Sequence, residues 1–168
     1  MRIKSIVLSM LTLLAISATT MTLTACFGDD DEPIVIPVSI YKQWQIPAAE
    51  TSIPEAAKAK VSDVCCDLTD HTTAKLLVKM AQNVTYEDVT YEAEKWYTLH
   101  AAIPMTVTAE SETVGTLAME EITYSYALTL NTLTLVHEVD GQPVTMNLKA
   151  TSGVKSEGII PSEAITAE

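Results

Sequence analysis

Apolar and polar side chains alternate with a period of two through most of the C-terminal half of this 168-residue chain. Such runs cover residues 122–130, 132–139 and 144–150, and the first of them places on one face Ile122, Tyr124, Tyr126, Leu128 and Leu130. Each run predicts a β-strand, because successive side chains of a strand point to opposite faces of a sheet. Asp140 and Gly141 lie between the last two runs and predict a tight hairpin, since glycine readily adopts positive φ.

Weaker strand signals precede these runs, at residues 40–46, 95–101, 105–109 and 113–119. Pro104 predicts a break between the second and third of these segments, because proline lacks the backbone donor that a central strand needs. Residues 74–80 are compatible with a helix or a strand, and the short, even spacing of the neighbouring strands favours a strand. The 18 threonines that follow Cys26 also favour β structure.

One segment breaks the alternation and predicts a helix over residues 53–66. Ser52 and Glu55 have the spacing of a capping box, and Pro54 suits the first turn of a helix. Apolar residues then recur at helical steps of three and four, at positions Ile53, Ala57, Val61, Val64 and Leu68.

Short consecutive strands joined by tight turns predict a mainly β fold. We expect an antiparallel meander that closes into a small barrel and carries one short N-terminal helix. A β-sandwich is the alternative, because the same alternation fits both architectures. The length suits a single β domain over residues 40–168, with its core in about residues 40–150.

The first 25 residues have the pattern of a secretory signal peptide. Arg2 and Lys4 give a positive start, and the apolar run at residues 6–16 is shorter than the roughly 20 residues that cross a bilayer. The following sequence LTAC, which ends at Cys26, resembles the bacterial lipobox. That resemblance implies that residues 1–25 are removed and that Cys26 is acylated, which would anchor the chain in a membrane. An ordinary secretory signal followed by a chance cysteine is the alternative.

Four consecutive acidic residues, Asp29 to Glu32, follow the predicted anchor within a linker at residues 26–39. This cluster resembles the export tether of Bacteroidota surface lipoproteins, which implies an outer-membrane lipoprotein displayed on the cell surface. A periplasm-facing lipoprotein is the alternative. The segment is equally compatible with a plain charged spacer between lipid and domain.

The charge of the chain excludes some classes of function. The formal net charge is −12, and without residues 1–25, which hold two basic and no acidic residues, it becomes −14. Binding to nucleic acid is therefore not expected, because phosphates are neutralised by Lys and Arg. Five glycines leave few loops that could cradle a phosphate, and the sequence has no Gly-x-Ser-x-Gly motif. We expect no enzyme, no catalytic residues and no cofactor.

The arrangement of aromatic strands and closing hairpins resembles the lipocalin-like domains of Bacteroidota surface lipoproteins. The resemblance rests on residues 42–44 (KQW), residues 95–97 (KWY) and the hairpins within residues 124–135 and 144–149, and it covers about residues 40–150. The Gly-x-Trp pattern of lipocalins is absent here. The resemblance implies a small barrel that can hold an apolar ligand.

Four aromatic residues are the candidate ligand-facing side chains: Trp44, Trp96, Tyr124 and Tyr126. On a concave surface they could stack against a sugar or an apolar ligand. A role in the core is the favoured alternative, because their spacing places them on the same face as leucine and isoleucine.

The remaining reactive side chains predict no catalytic or metal site. Cys65 and Cys66 are predicted to be buried, small apolar side chains at the helix end, because a disulfide between neighbours is strained. A vicinal or intermolecular disulfide is the alternative. His71, His100 and His137 lie on separate segments without metal-ligand spacing.

These observations together predict a non-catalytic lipoprotein whose β domain binds a ligand or a partner. The expected partners are the membrane, through the N-terminal lipid, a small apolar or glycan ligand, and an outer-membrane protein. The alternative is a structural accessory subunit of an outer-membrane uptake or adhesin assembly.

Overall fold

The computed structural model describes residues 38–51 and 53–167. The strands in this part of the chain are β1 (Gln43–Pro47), β2 (Val61–Asp67), β3 (Thr73–Met80), β4 (Val84–Tyr86), β5 (Val89–Tyr91), β6 (Trp96–Ala109), β7 (Val114–Met119), β8 (Ile122–Leu128), β9 (Thr132–Val139) and β10 (Gln142–Thr151). The helical segments are a 3-10 turn (Ala48–Glu50), α1 (Glu55–Lys58) and α2 (Ser162–Thr166). The described chain is therefore mainly β, as its alternation predicts.

Eight of these strands form one closed antiparallel barrel, in the order β1-β10-β9-β8-β7-β6-β3-β2. Strand β1 closes the barrel because it pairs with a strand on each side: Trp44 lies opposite Ala150 of β10 and opposite Cys66 of β2. The predicted antiparallel barrel is confirmed, and the sandwich alternative is wrong because one sheet closes on itself. Strands β4 and β5 form a separate two-stranded hairpin between β3 and β6.

Because neighbouring barrel strands run in opposite directions, the connections between consecutive strands alternate between the two ends of the barrel. We call one end the Trp44 end; it carries residues 38–42, 68–72, 110–113 and 129–131. We call the opposite end the lid end; it carries residues 48–60, 81–95, 120–121 and 140–141, together with α2. The described chain therefore enters the barrel at the Trp44 end.

Inward-facing apolar side chains form the core of the barrel. Trp44, Leu117 and Leu133 are completely buried. The indole N–H of Trp44 donates a hydrogen bond of 2.8 Å to the carbonyl oxygen of Ile40, which is also buried. An eight-stranded barrel is only just wide enough for side chains to fill its interior, and these buried residues fill part of it.

Two-residue hairpin turns connect strands at the lid end. Asp140 and Gly141 both have positive φ, at 50° and 74°, which confirms the predicted hairpin between β9 and β10. Glu87 and Asp88 have positive φ in the hairpin between β4 and β5, at 48° and 65°. Left-handed conformations in such turns match the right-handed twist of the strands that they join.

The predicted helix over residues 53–66 is wrong beyond its first turn. Helix α1 ends at Lys58, and the chain from Val61 onward forms β2. Pro54 precedes α1 without a side-chain capping hydrogen bond, and Ser52 of the predicted capping box lies outside the described residues. Strand β2 pairs with β1 on one side and with β3 on the other, and these contacts outweigh the local helical pattern.

A β-bulge in β2 explains the misleading helical spacing. Val61 lies opposite Met80 of β3, whereas Asp63 lies opposite Lys79, so β2 contains one extra residue at this point. The bulge turns both Val61 and Val64 into the core, three positions apart. A step of three residues therefore comes from an irregular strand here and not from a helix.

The predicted break at Pro104 is also wrong, because β6 continues through it. Strand β6 changes its partner there: residues up to Pro104 pair with β3, and residues from Met105 onward pair with β7. Pro104 lies opposite Thr73, where β3 begins, so no hydrogen bond inside the ladder is lost. Residues 74–80 form β3, which confirms the strand predicted for them.

After β10 the chain returns along the outer wall of the barrel, and we call residues 152–161 the strap. Near its start, the backbone of Val154 forms two hydrogen bonds with the side chain of Gln43 on β1, of 2.9 and 3.0 Å. Near its end, Thr98 on β6 donates its N–H to Gly158 and accepts from the N–H of Ile160. The strap therefore crosses β2 and β3, which lie between β1 and β6.

The hydrophobic core of the domain includes residues of the strap and of α2, which lie beyond residue 150. Ile160 is completely buried, and Ala164 and Ile165 of α2 are almost completely buried. Ile159 makes an isolated parallel bridge to Thr98 and is otherwise exposed. The C-terminal residues thus belong to the folded barrel.

Candidate functional site

An apolar cavity of about 70 Å³ extends from the middle of the barrel to the lid end. The described residues on its walls include no charged side chain, and the polar or polarisable atoms among them belong to Cys66, Tyr124, Met119 and Met146. A single water needs roughly 10–15 Å³ of such space, whereas pockets for drug-sized ligands measure about 300–1,000 Å³. The cavity therefore has room for a very small ligand.

Helices α1 and α2 and the residues beside them cover the cavity at the lid end. Ile53, just before α1, and Ile165 of α2 both line the cavity. The ammonium group of Lys60 donates hydrogen bonds to the carbonyl oxygens of Ala164 and Ala167. A cation at the C-terminal end of a helix satisfies carbonyls that the helix leaves free, so Lys60 holds α2 beside α1.

Among the described residues that line the cavity, Tyr124 on β8 is the only one with a hydroxyl group. Its side chain is 3% exposed, and its hydroxyl forms no hydrogen bond with any residue that the structure describes. Burial raises the pKa of Tyr124 to about 12, and the negative charges of a Cys66 thiolate and of Glu120 act in the same direction. The hydroxyl is therefore protonated at neutral pH and can donate a hydrogen bond.

Cys66 and Cys65 point to opposite faces of β2, because neighbouring residues of a strand alternate. Cys66 lines the cavity, whereas Cys65 lies opposite Leu77 on the outer face that the strap crosses. Both are free thiols, and burial raises the pKa of each to about 12. The predicted burial is confirmed for Cys65, whereas Cys66 is partly exposed, and the predicted position at a helix end is wrong for both because they lie within a strand.

His137 on β9 is a buried polar group that the sequence did not single out as part of a site. Its ring meets that of Tyr124 edge to face, with centroids 5.0 Å apart. Its Nδ1 atom is buried and has no hydrogen-bond partner in the part of the chain that the structure describes, and burial lowers the pKa of the imidazole. Its alternation with Leu133 and Leu135 along β9 was the signal that placed it inside the barrel.

The other two histidines lie apart from His137. The ring of His71 stacks on that of Tyr41 at the Trp44 end, with centroids 3.9 Å apart. His100, on β6, has a buried Nε2 atom that forms no hydrogen bond with the described residues. Within residues 38–51 and 53–167, no three His, Cys, Asp or Glu side chains converge in a way that could hold a metal ion.

The four predicted ligand-facing aromatic residues are dispersed in the structure. Tyr124 lines the cavity, whereas Trp44 is buried at the Trp44 end and does not. Tyr126 is buried above Gly115, the residue opposite it on β7. Trp96 is half-buried at the start of β6. Trp44 and Tyr126 therefore belong to the core, which is the alternative that the sequence favours.

Other cavity residues were missed at the sequence level. The inward positions of Met119 and Met146 follow from the alternation of β7 and β10, but nothing local shows that a space lies beside them. Ile165 comes from a five-residue helix that reaches the lid end only through the strap. Its place on the cavity wall depends on long-range packing.

A second concave surface lies outside the barrel, between β5 and the strap. This outer groove has a volume of about 390 Å³. Tyr91 and Tyr97 line it and contact each other edge to face, with ring centroids 5.1 Å apart. Val89 and Ile159 also line the groove and are 51% and 71% exposed. It therefore presents apolar surface to solvent.

Cys26, the predicted lipidation site, lies outside the described residues. None of the helices between residues 38 and 167 has the length and apolar character needed to cross a membrane. A scan against models of protein families, a search of curated proteins and a search of solved structures each find no match to this chain.

Proposed function

We propose that this chain is an outer-membrane lipoprotein, displayed on the cell surface, whose barrel binds a small ligand without catalysing a reaction. The observation that carries the ligand-binding role is the apolar cavity inside the barrel, whose wall carries the hydroxyl of Tyr124 without a hydrogen bond to any described residue. The lipobox-like sequence that ends at Cys26 carries the anchoring role.

The cavity supports a binding role because protein interiors are normally close-packed. Empty space beside apolar side chains forfeits dispersion contacts and costs folding free energy. The hydroxyl of Tyr124, which the described residues leave without a hydrogen bond, forgoes a further favourable contact. A ligand that filled the space beside Tyr124 and accepted its hydrogen bond would recover both contributions.

The topology is compatible with an anchor at Cys26. The described chain begins at Val38, at the Trp44 end of the barrel. A lipid on Cys26 would therefore tether the Trp44 end to the membrane. The lid end, with Ile165 over the cavity, would face away from the lipid surface and be free to exchange a ligand.

Incorporation of a labelled fatty acid tests the anchor. Cells that express the full chain should incorporate the label into it, and Cys26→Ala should abolish the labelling. Cys65→Ala is the matched control and should leave the labelling intact, because Cys65 is buried in the barrel wall. Equal labelling of the Cys26→Ala chain would contradict the proposal.

Thermal unfolding of the purified full chain tests the binding role. Because a ligand that binds only the folded state stabilises it, small apolar compounds should raise the Tm in proportion to their occupancy of the cavity. Met146→Trp, which would fill the cavity from β10, should abolish the rise. A rise that persists unchanged in Met146→Trp would show that the cavity is not the binding site.

A structural accessory subunit is the second candidate function, and the outer groove is the observation that favours it. Val89 and Ile159 expose apolar surface there, beside an ion pair of 3.5 Å between Lys95 and Glu157. Crosslinking in intact cells tests this candidate. A crosslinked outer-membrane protein that is lost in Ile159→Glu would support it, and recovery of the uncrosslinked chain alone would contradict it.

A further inference from the structure

We infer that the ligand of the cavity is an uncharged molecule no larger than one six-membered ring, which carries a single hydroxyl or carbonyl oxygen and binds to the hydroxyl of Tyr124. This inference rests on the proposed function, because it takes the cavity as the ligand site. It adds the size, the charge and the polar contact of the ligand.

The volume of the cavity sets the size of the ligand. An apolar cavity of about 150 Å³ binds benzene, and the cavity here measures about half of that volume. Met119 and Met146 line it, and the unbranched thioether side chain of methionine adapts its shape at little cost. Movement of these two side chains can admit one ring, whereas an acyl chain, a sterol or an oligosaccharide would require the barrel to open.

The wall of the cavity sets the charge of the ligand. The ionisable side chains on the described wall, Cys66 and Tyr124, are uncharged at neutral pH, because burial raises the pKa of each to about 12. A charged ligand would lose its hydration without gaining a counter-charge. The ligand must therefore be neutral.

The hydroxyl of Tyr124 sets the polar contact. Its oxygen makes no hydrogen bond within the described chain, and its side chain is more than nine-tenths buried. The protonated hydroxyl donates, so the matching ligand atom is an acceptor, such as the oxygen of an alcohol, a phenol or a carbonyl compound. Because the rest of the wall is apolar, a second polar group on the ligand would remain unsatisfied.

Methyl NMR of the full chain, purified in mild detergent with ¹³C-methyl methionine, tests this inference. The methyl groups of Met119 and Met146 report on the cavity, whereas those of Met80 and Met105 lie in the core but do not line it. Phenol is the probe, benzene is the matched ligand without an oxygen, and xenon reports whether the cavity is accessible at all.

Phenol should shift the signals of Met119 and Met146 and should bind more tightly than benzene. Tyr124→Phe should lower the affinity for phenol by about 2- to 12-fold, close to that for benzene, because one hydrogen bond is lost. Tyr91→Phe is the matched control at the outer groove and should leave the affinity unchanged. Unchanged signals of Met80 and Met105 will show that each variant is folded.

The outcomes separate this inference from the proposed function. If xenon shifts Met119 and Met146 but phenol binds the wild-type chain no more tightly than benzene, the inference is wrong and the cavity remains a candidate site. This comparison needs no variant. If xenon, benzene and phenol all leave both signals unchanged, the ligand-binding function is also wrong.

Discussion

The phenol ring of Tyr124 meets the imidazole ring of His137 edge to face, with centroids 5.0 Å apart and ring planes at 74°. The two residues lie on the neighbouring strands β8 and β9 and both are buried. Neither the hydroxyl of Tyr124 nor Nδ1 of His137 has a hydrogen-bond partner among the described residues. Two adjacent side chains in the barrel interior thus each have a polar atom that the described residues leave without a hydrogen bond.

His137 should make the stability of the protein depend on pH. Burial lowers its pKa in the folded state below the ordinary value of 6.5, so the unfolded chain binds a proton more readily. The free energy of unfolding should therefore fall as the pH decreases from about 6.5 towards the lowered pKa, by at most about 1.4 kcal/mol per pH unit. Above pH 6.5 this dependence should vanish.

Denaturant unfolding of wild type and His137→Phe between pH 8 and pH 5 measures this dependence. The variant keeps an aromatic ring beside Tyr124 and should lose the slope below pH 6.5. Hydrogen bonds lower the pKa values of Asp67 and Asp70 from 3.8. Protonation of these two carboxylates therefore lowers the free energy of unfolding only in solutions more acidic than those compared here. An identical slope in both proteins would rule out His137 as its source.

Gly115 should resist substitution, because β7 approaches β6 closely at this residue. A Cβ atom on Gly115 would lie 2.3 Å from the carbonyl oxygen of Thr108 and 2.9 Å from Cα of Ala109. Gly115→Ala should therefore lower the free energy of unfolding by about 1–3 kcal/mol, the usual range for overpacking. Gly158→Ala is the control, because nothing lies within 4 Å of its Cβ position. Equal stability of the two variants in denaturant would contradict this close approach.

The strap should contribute to stability through one of two adjacent isoleucines. Ile160 is completely buried, whereas Ile159 is 71% exposed. Ile160→Ala should cost about 2–5 kcal/mol, the range for a buried large-to-small substitution, and Ile159→Ala should cost less than about 0.5 kcal/mol. The two free energies of unfolding, measured in the same buffer, test this difference. Equal costs would mean that the strap does not pack on the barrel as described.

Both cysteines of β2 should resist thiol reagents in the folded protein. With pKa values near 12, only about one thiol in ten thousand is ionised at pH 8. Iodoacetamide should label the peptide with Cys65 and Cys66 only after denaturation, as peptide-resolved mass spectrometry can show. Ser111→Cys, in an exposed loop, should react in the folded state and serves as the control. Rapid labelling of Cys66 would indicate that the lid end is open.

The sequence predicts the strands well where one face is buried without interruption. Tyr124, Tyr126 and Leu128 alternate with the small, exposed residues Ser125 and Ala127 along β8, so a local pattern carries the full information about the strand. Prediction from the sequence fails where pairing between strands decides which secondary structure a segment adopts. The bulge at Val61 imitates helical spacing, and Pro104 is tolerated because β6 changes partners there.

The candidate site is less accessible from the sequence than the fold. Tyr124 was identified because it is an inward aromatic residue, and Trp44 and Tyr126 share that property but pack in the core. Which inward residues border empty space depends on the stagger of eight strands and on Ile165, which arrives through the strap. No local pattern encodes that arrangement.

The central claim is that the closed barrel contains an apolar cavity that a small ligand can occupy. A crystal structure of the protein under xenon pressure tests this claim most directly, because xenon enters accessible apolar cavities without needing a polar contact. We predict xenon density inside the barrel, between Met119, Tyr124 and Ile165. Density at the outer groove alone, or a barrel interior filled by side chains at these three residues, would contradict the account.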